Sequence, residues 1–376
     1  MLLVKTQRET LLGPLQAVSG IVERRHTLPI LSNVLLEKRG DLLTWLATDI
    51  EIQITAVSHG MVGDGDGAVT VGARKLQEIL RSLPDAVEIT LALDDRRLQI
   101  KAGRSRFSLQ TLPAEDFPSM ATADGQAMKL AVSQKQFRHL LGQTQYAMAA
   151  QDVRYYLNGL LLLIDGDELR AVATDGHRLA YSSMALDHAP EVSGESANTR
   201  RDLILPRKTV LELNRLLADN EEPLLIDVLP NQIRFQFAHI SLISKLIDGR
   251  FPDYERVIPG SLKSVISVNR SLLLQSMIRA AILTNEKFRG VRLLLSENSL
   301  KIVAANTEQE EAQEEIEVEY SGESLDVGFN VAYLLDVLNN TSDETIEWGF
   351  NDANSSALLR IRGNERFKYV VMPMRM

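Results

Sequence analysis

The chain has no cysteine, which excludes disulfides, zinc–thiolate sites and a thiol nucleophile. Histidine is scarce. The six, at positions 26, 59, 139, 177, 188 and 239, are scattered, and no His-Glu-x-x-His pair is present to seat a catalytic zinc. There is no Gly-x-Ser-x-Gly elbow and no glycine-rich phosphate loop ending in Lys-Ser or Lys-Thr. No apolar run approaches the ~18 residues that span a bilayer. The N-terminal MLLVKTQRET lacks the basic and apolar regions of a signal peptide, so a cytoplasmic location without membrane partners is expected. An excess of positive charge is also missing. The net charge of −9 argues against a general nucleic-acid binder, because phosphate affinity needs clustered Lys and Arg. The run Gly63-Asp64-Gly65-Asp66-Gly67 lacks the later ligands and terminal Glu of a calcium loop and reads as a hairpin turn. Neither a metal nor a cofactor is expected.

What is present is a repeat. Leu169 to Tyr181 reads LRAVATDGHRLAY, a strand, a Thr-Asp-Gly turn and a second strand. The phrase recurs upstream as LTWLATD (Leu43 to Asp49) and downstream as LKIVAAN (Leu300 to Asn306). The offsets, 126 from Thr48 to Thr174 and 131 from Ala173 to Ala304, are domain-sized. Each third reads strand, helix, several strands, helix, several strands. The expected fold class is therefore α+β with three similar domains, at 1–125, 126–259 and 260–376. Hairpins are expected across Gly40, Gly166 and Glu297-Asn298. Helices carry Leu76, Ile79, Leu80 and Leu83, or Val210, Leu213, Leu216 and Leu217, at helical spacing. Ser133 and Asn269 suit N-caps, and Pro206 a first helical position. Pro14 is expected to kink or delay the first helix.

Charge is unevenly placed. Residues 8–25, 74–82, 134–146, 206–218, 269–283 and 330–341, the helical segments, together carry +8, which leaves −17 for the rest of the chain. Either these are ordinary solvated faces, or a surface made of helices meets a polyanion. The acidic run Glu308 to Glu319 alternates as an edge strand would, with Ile316 and Val318 on one side. The basic stretch RSRFSL (Arg104 to Leu109) is a candidate to meet it on another copy, a head-to-tail contact. The apolar tail Tyr369 to Met376 is either a last core strand or an adaptable, Met-rich binding surface. Asp175 and His177 suggest half of a catalytic triad; a surface contact on a turn is the simpler reading.

Seven stretches, in order, resemble the bacterial DNA polymerase III β-subunit, or sliding-clamp, family. They are TLPIL (Thr27 to Leu31), RSRFSLQTLPAEDFP (Arg104 to Pro118), QDVRYYLNG (Gln151 to Gly159), VATDGHRLA (Val172 to Ala180), SKLIDGRFPDY (Ser244 to Tyr254), RAAILTNEKFRGVRL (Arg279 to Leu293) and YVVMPMRM. The resemblance implies a head-to-tail homodimer, a six-domain ring whose helices line a hole around duplex DNA without reading its sequence. It implies no catalysis. Expected partners are the DNA polymerase III α subunit, the clamp-loader δ subunit, and other polymerases and repair proteins carrying clamp-binding peptides.

Carried over residue by residue, the resemblance implies DNA contacts at Arg25, Arg74, Gln151, Tyr155 and Tyr156. It implies a peptide pocket of Leu157, Thr174, Gly176, His177, Arg178, Leu179, Pro252, Arg256, Val257, Phe288, Asn330, Tyr333, Ser356, Val370, Val371, Met372, Pro373, Met374, Arg375 and Met376. The dimer contact would join Lys75, Arg104, Arg106, Phe107 and Leu109 to Ile282, Leu283, Glu308 and Glu311 of a second copy. Departures from the family pattern are a long Pro190 to Arg200 stretch, Asn354 at a pocket edge, and Met376 in place of a frequent Leu.

Overall fold

The computed structural model describes residues 2–23, 28–63, 65–121, 128–192 and 200–375. Six helices lie among them: α1 (Arg8–Ser19), α2 (Ala73–Ser82), α3 (Gln134–Gly142), α4 (Arg207–Leu216), α5 (Arg270–Ala281) and α6 (Val331–Asn339). Two fall in each repeat. The three expected hairpins form as antiparallel pairs: Asn33–Arg39 with Leu42–Thr48, Gly159–Asp165 with Glu168–Thr174, and Gly290–Ser296 with Ser299–Ala305. Each turns on a left-handed residue, Gly40 (φ 60°), Gly166 (φ 60°) or Asn298 (φ 53°). Gly and Asn are the residues that adopt this conformation most cheaply.

The helices bury one stripe each. Leu11, Leu15 and Val18 do so on α1, and Leu273, Met277 and Ala280 on α5. Asn269 caps α5 by accepting a hydrogen bond from the Leu272 N–H at 3.0 Å. Pro206 ends the strand Arg201–Pro206, and α4 begins one residue later. Pro14 does not delay α1, which starts at Arg8 and runs through it. Proline cannot donate to the carbonyl four residues back; Ser58 Oγ donates to the Thr10 carbonyl instead, at 3.1 Å. The helix ends at Ser19 rather than near residue 25, so Arg8 and Glu9 leave α1 without net charge.

The stretch from Gly63 to Gly67 is not the expected hairpin turn, because the strands before and after it, Ile52–Ser58 and Gly67–Gly72, pair with other strands and not with each other; it already has a cation. The buried Lys38 ammonium donates to the Gly65 carbonyl at 3.0 Å and lies 3.5 Å from that of Gly63. Asp64 and the expected boundary at 125/126 lie outside the described residues.

Contacts divide the chain into two compact units. One is built on a thirteen-stranded sheet. Within it the first repeat joins the second by pairing Ile52–Ser58 with Ile240–Lys245, from Ile52↔Ser244 to Ala56↔Ile240. The other unit holds an eight-stranded and a four-stranded sheet. There Arg178–Ala185 of the second repeat pairs with Asn364–Val371 of the third, from Arg178↔Val371 to Ser182↔Phe367. The same two strands of the repeat are used each time.

One strand of each kind is left over. Among the described residues Glu311–Glu317 pairs only with Ser299–Ala305 and ends its sheet. It begins at Glu311, so Glu308 precedes it; Ile316 and Val318 are both buried. In Ser105–Leu112, residues 105–110 pair with Arg97–Ala102. Only Thr111 and Leu112 meet Gly67–Gly72 on the other side. Residues 105–110 therefore keep one edge without a strand among the described residues.

Replacing Ser58 by Ala leaves the Thr10 carbonyl without its donor and is expected to cost about 1–2 kcal/mol in urea denaturation. Pro14→Ala restores a backbone N–H in α1, so the double variant is expected to recover most of that loss.

Candidate functional site

The Thr-Asp turn is built twice with the same bonds. In the first repeat Thr48 Oγ1 donates to the Ile52 carbonyl and accepts from Ile50 N, while Asp49 Oδ1 accepts from Glu51 N and Ile52 N. In the second, Thr174 Oγ1 donates to the Arg178 carbonyl at 2.6 Å and accepts from Gly176 N at 3.1 Å. Asp175 Oδ1 accepts from His177 N at 2.9 Å and Arg178 N at 3.1 Å. Gly176 sits at φ 89°, where a side chain is strained. Asp175 Oδ2 faces Arg178 Nε at 3.2 Å. Both carboxylate oxygens of Asp175 thus serve the turn and Arg178. The His177 ring lies nearly parallel to that of Tyr333, with centroids 6.5 Å apart. This geometry favours the structural reading of His177 over a triad.

The turn stands at the rim of a sheet face made of Leu161, Leu163, Val172, Leu179, Leu358 and Val370. The connector leading into the third repeat packs Phe251, Tyr254, Ile258 and Leu262 on this face. Where connector, turn and last strand meet, they leave a mainly apolar cavity of about 140 Å³. Leu157, Thr174, Gly176, His177, Arg178, Leu179, Pro252, Val257, Val370 and Met372 line it. Ten of the residues carried over for the pocket therefore converge on one hollow. Its volume is below the ~300–1,000 Å³ of sites for small molecules, which suits one or two apolar side chains. A larger hollow of about 450 Å³ lies further along the same strands, with Arg170, Glu255, Arg360, Glu365 and Lys368 around it. Its polar lining does not suit an apolar anchor.

The remaining pocket residues lie elsewhere on the same unit. Tyr333 carries the Arg178 guanidinium 4.5 Å above its ring centre. Asn330 caps α6, accepting from Ala332 N at 2.9 Å. Val371 is buried, pairing with Arg178, while Met372 is 44% exposed. The tail is thus a core strand up to Val371 and a surface after it. Met374 N donates to the Gly328 carbonyl at 2.9 Å, and Pro373 and Ser356 are half-buried. Arg256 is exposed and paired with Asp253 at 2.7 Å. Phe288 (58% exposed) and Arg375 face solvent. Met376 lies outside the described residues. Arg154 and Tyr254 also line the cavity. Both sit inside stretches that carried the resemblance, yet only the tertiary packing brings them to the hollow.

Gln151, Tyr155 and Tyr156 share the segment preceding Leu157. Tyr155–Leu157 is a single 3-10 turn, not a strand, so neither tyrosine is driven into the core. Their rings meet edge to face at 5.8 Å, and Gln151 is exposed. Asn158 pins the segment: its Oδ1 accepts from Asp152 N at 2.8 Å, and its Nδ2 donates to the Asp152 carbonyl at 2.9 Å. Arg154 clamps Asp152 through Nε at 3.0 Å and Nη2 at 2.9 Å. The bonds from Arg154 hold the Asp152 carboxyl down at about 2. Arg74 is exposed on α2, paired with Glu78 at 2.9 Å. Arg25 lies outside the described residues.

Of the residues expected at a dimer contact, Arg104, Arg106, Phe107, Leu109, Glu308 and Glu311 lie on the two leftover edges or beside them in sequence, whereas Lys75, Ile282 and Leu283 belong to or follow helices. Arg104 and Arg106 are exposed and Phe107 and Leu109 half-buried, along the open edge of residues 105–110; Lys75 is exposed on α2. Ile282 is 74% exposed just after α5, and Leu283 is half-buried. Arg279 of α5 pairs with Glu314 at 2.5 Å.

Comparison with known proteins accounts for this architecture along its whole length. Models of the DNA polymerase III beta subunit match as its N-terminal domain at residues 2–121, its central domain at 131–253 and its C-terminal domain at 255–375. The chain belongs to the DNA polymerase III beta-subunit family. The beta sliding clamp of Pseudomonas putida KT2440 is 48% identical over 370 residues, 98% of this chain and 99% of the relative. That of Escherichia coli K12 is 46% identical with the same coverage. The crystal structure of the DNA polymerase III subunit beta from Pseudomonas aeruginosa matches with a TM-score of 0.91 at 46% identity, over 99% of this chain and 100% of that one. A P. aeruginosa sliding clamp bound to griselimycin matches with a TM-score of 0.92 at 46% identity, over the full length of both chains. Beta sliding clamps are non-catalytic subunits of the polymerase, in keeping with a site made of apolar walls and a turn.

An NMR titration is expected to place the Asp152 midpoint near 2 and, in Arg154→Ala, to move it up toward the ordinary 3.8 without reaching it, because the backbone N–H of residue 154 still donates to Asp152 Oδ1. The pair therefore steadies the 151–158 segment above the ordinary carboxyl range, and that support fades as pH falls toward 2. Gly176→Ala is expected to cost about 1–2 kcal/mol of stability through its left-handed backbone, read as a shift in denaturation midpoint.

Proposed function

We propose that two copies of the chain close head to tail into a six-domain ring around duplex DNA, and that the ring tethers its partners through the 140 Å³ cavity. The observation that carries this is the leftover pair of edges. The repeats join twice by the same two strands, Ile52–Ser58 with Ile240–Lys245 and Arg178–Ala185 with Asn364–Val371. The equivalent strands left unjoined are Glu311–Glu317 and Ser105–Leu112. A second copy supplies what each lacks, and the open hydrogen bonds of both edges favour it. Charge supports the same pairing: Arg104 and Arg106 would face the acidic run from Glu308, with Phe107, Leu109, Ile282 and Leu283 as the apolar centre. Exposed ion pairs of this kind add ~0.2–1 kcal/mol each, enough to set register, while apolar burial carries the affinity.

Within such a ring, retention is topological. Arg25, Arg74, Gln151, Tyr155 and Tyr156 would touch the duplex lightly, and a few loose contacts leave the ring free to slide. The cavity would take the apolar anchor of a short peptide from the polymerase α subunit, the loader's δ subunit, or other polymerases and repair proteins. The domains we assign to the repeat are 1–125, 126–259 and 260–376.

The protein loaded on circular plasmid with a clamp loader and ATP is expected to stay until the plasmid is cut once, then run off the ends. Retention after cutting would identify an ordinary DNA binder; equal retention on circular and linear DNA would identify a scaffold that does not encircle. Reversing Arg104 and Arg106 to Glu is expected to weaken the dimer tenfold or more in sedimentation. Reversing Glu308 and Glu311 to Arg in the same chain is expected to restore part of it.

A further inference from the structure

Among the described residues, α6 is the one helix with net negative charge, and Asp336 is its only charged residue. That charge is directed at one group. Asp336 Oδ2 lies 2.5 Å from Arg178 Nη1. The Arg178 side chain, 9% exposed, is held at four further points. Its Nη2 donates to the Tyr146 carbonyl at 2.6 Å, and its Nε faces Asp175 at 3.2 Å. Its guanidinium lies 4.5 Å over the Tyr333 ring and 5.8 Å from that of Tyr146. Tyr369, kept protonated because burial pushes its pKa up, donates to the Tyr333 carbonyl at 2.8 Å. The His177 carbonyl accepts from Met372 N at 2.9 Å. The side chains that close the cavity on this flank are thus anchored through Arg178 to α6.

We infer that Asp336, which does not itself line the cavity, is a positioning residue that sets the cavity's wall by holding Arg178 flat on Tyr333. The inference rests on the reading of the cavity as the peptide site. Its physical basis is the asymmetry of burying a guanidinium. Asp175 is already committed to the Thr-Asp turn through Oδ1 and Tyr369 offers the guanidinium only a neutral hydroxyl, so Asp336 is the carboxylate that serves Nη1. Without it, a nearly buried guanidinium loses a charged partner. The long side chain then relaxes toward the cavity or its mouth. Tyr333 loses its cation and His177 the ring beside it, so an apolar anchor meets a wider or occluded hollow. The assignment also separates Asp336 from any DNA-facing role. Its charge is neutralised within the protein, so its removal is not expected to tighten binding to duplex.

The test is calorimetric titration with griselimycin, the ligand seen on the Pseudomonas aeruginosa relative. The full-length chain would be compared as wild type, Asp336→Ala, Asp336→Asn, Arg178→Met and the Asp336→Ala/Arg178→Met double variant, with melting temperatures alongside. Asp336→Ala is expected to bind five- to twentyfold more weakly. Asp336→Asn, which keeps the shape and an acceptor oxygen, is expected to fall between it and wild type. The double variant is expected to bind no more weakly than Arg178→Met, because Asp336 acts only through that side chain. Retention on circular DNA is expected to be unchanged in Asp336→Ala. Should Asp336→Ala fold poorly, Asp336→Asn carries the same comparison. Wild-type binding with undiminished affinity in a folded Asp336→Ala, or losses that multiply in the double variant, would overturn the inference alone. No binding by wild type would overturn the site reading and this inference with it.

Discussion

The backbone hydrogen bonds at the edge of each repeat's sheet constrain everything else. An antiparallel edge presents N–H and C=O groups that must find a strand, water or a cover. The chain settles this twice internally, at Ile52↔Ser244 and at Arg178↔Val371. Those joints make one thirteen-stranded and one eight-stranded sheet from elements more than a hundred residues apart. Among the described residues there is no third such pairing. In the proposed dimer, ring closure by a second copy would be the same local chemistry applied once more.

The second of those joints also builds the cavity. Pairing Arg178–Ser182 with Phe367–Val371 brings the Thr-Asp turn beside the end of the last strand. The connector then covers the face between them with Phe251 and Tyr254. The first joint has the same turn, with Ile50 at φ 71° where the second has Gly176. Glu51 there pairs with Lys245 at 3.0 Å, across the turn–strand joint. Two copies of one motif thus have different surroundings. The glycine, the histidine and Arg178 of the second copy are what face an apolar hollow.

Much of this was legible in the residues. The hairpins were, because left-handed turn residues and alternating strands are local signals. The periodic phrase gave the three repeats, and four of the six helices keep the net positive charge read from the sequence; α1 loses it because it ends at Ser19. What sequence missed depends on distant partners. Pro14 is tolerated because Ser58, forty-four residues later, supplies the missing bond. The Lys38 ammonium reaches the Gly65 carbonyl from a strand more than twenty residues earlier. Asp336 counted as an acid on a helix surface, whereas it is half of an ion pair with Arg178. Tyr155 and Tyr156 owe their 3-10 turn to Asn158 and to the Arg154–Asp152 clamp on either side of them. Arg154 and Tyr254 reach the cavity only through packing that no local pattern encodes.

Amide hydrogen exchange at residues 105–110 and 311–317, followed across protein concentration, tests edge completion most directly. The account predicts that alternate amides in both segments become protected together, over the concentration range in which sedimentation shows monomer becoming dimer. Exchange that stays fast in either segment while the dimer forms would mean that the two copies meet elsewhere, and would contradict closure by strand pairing.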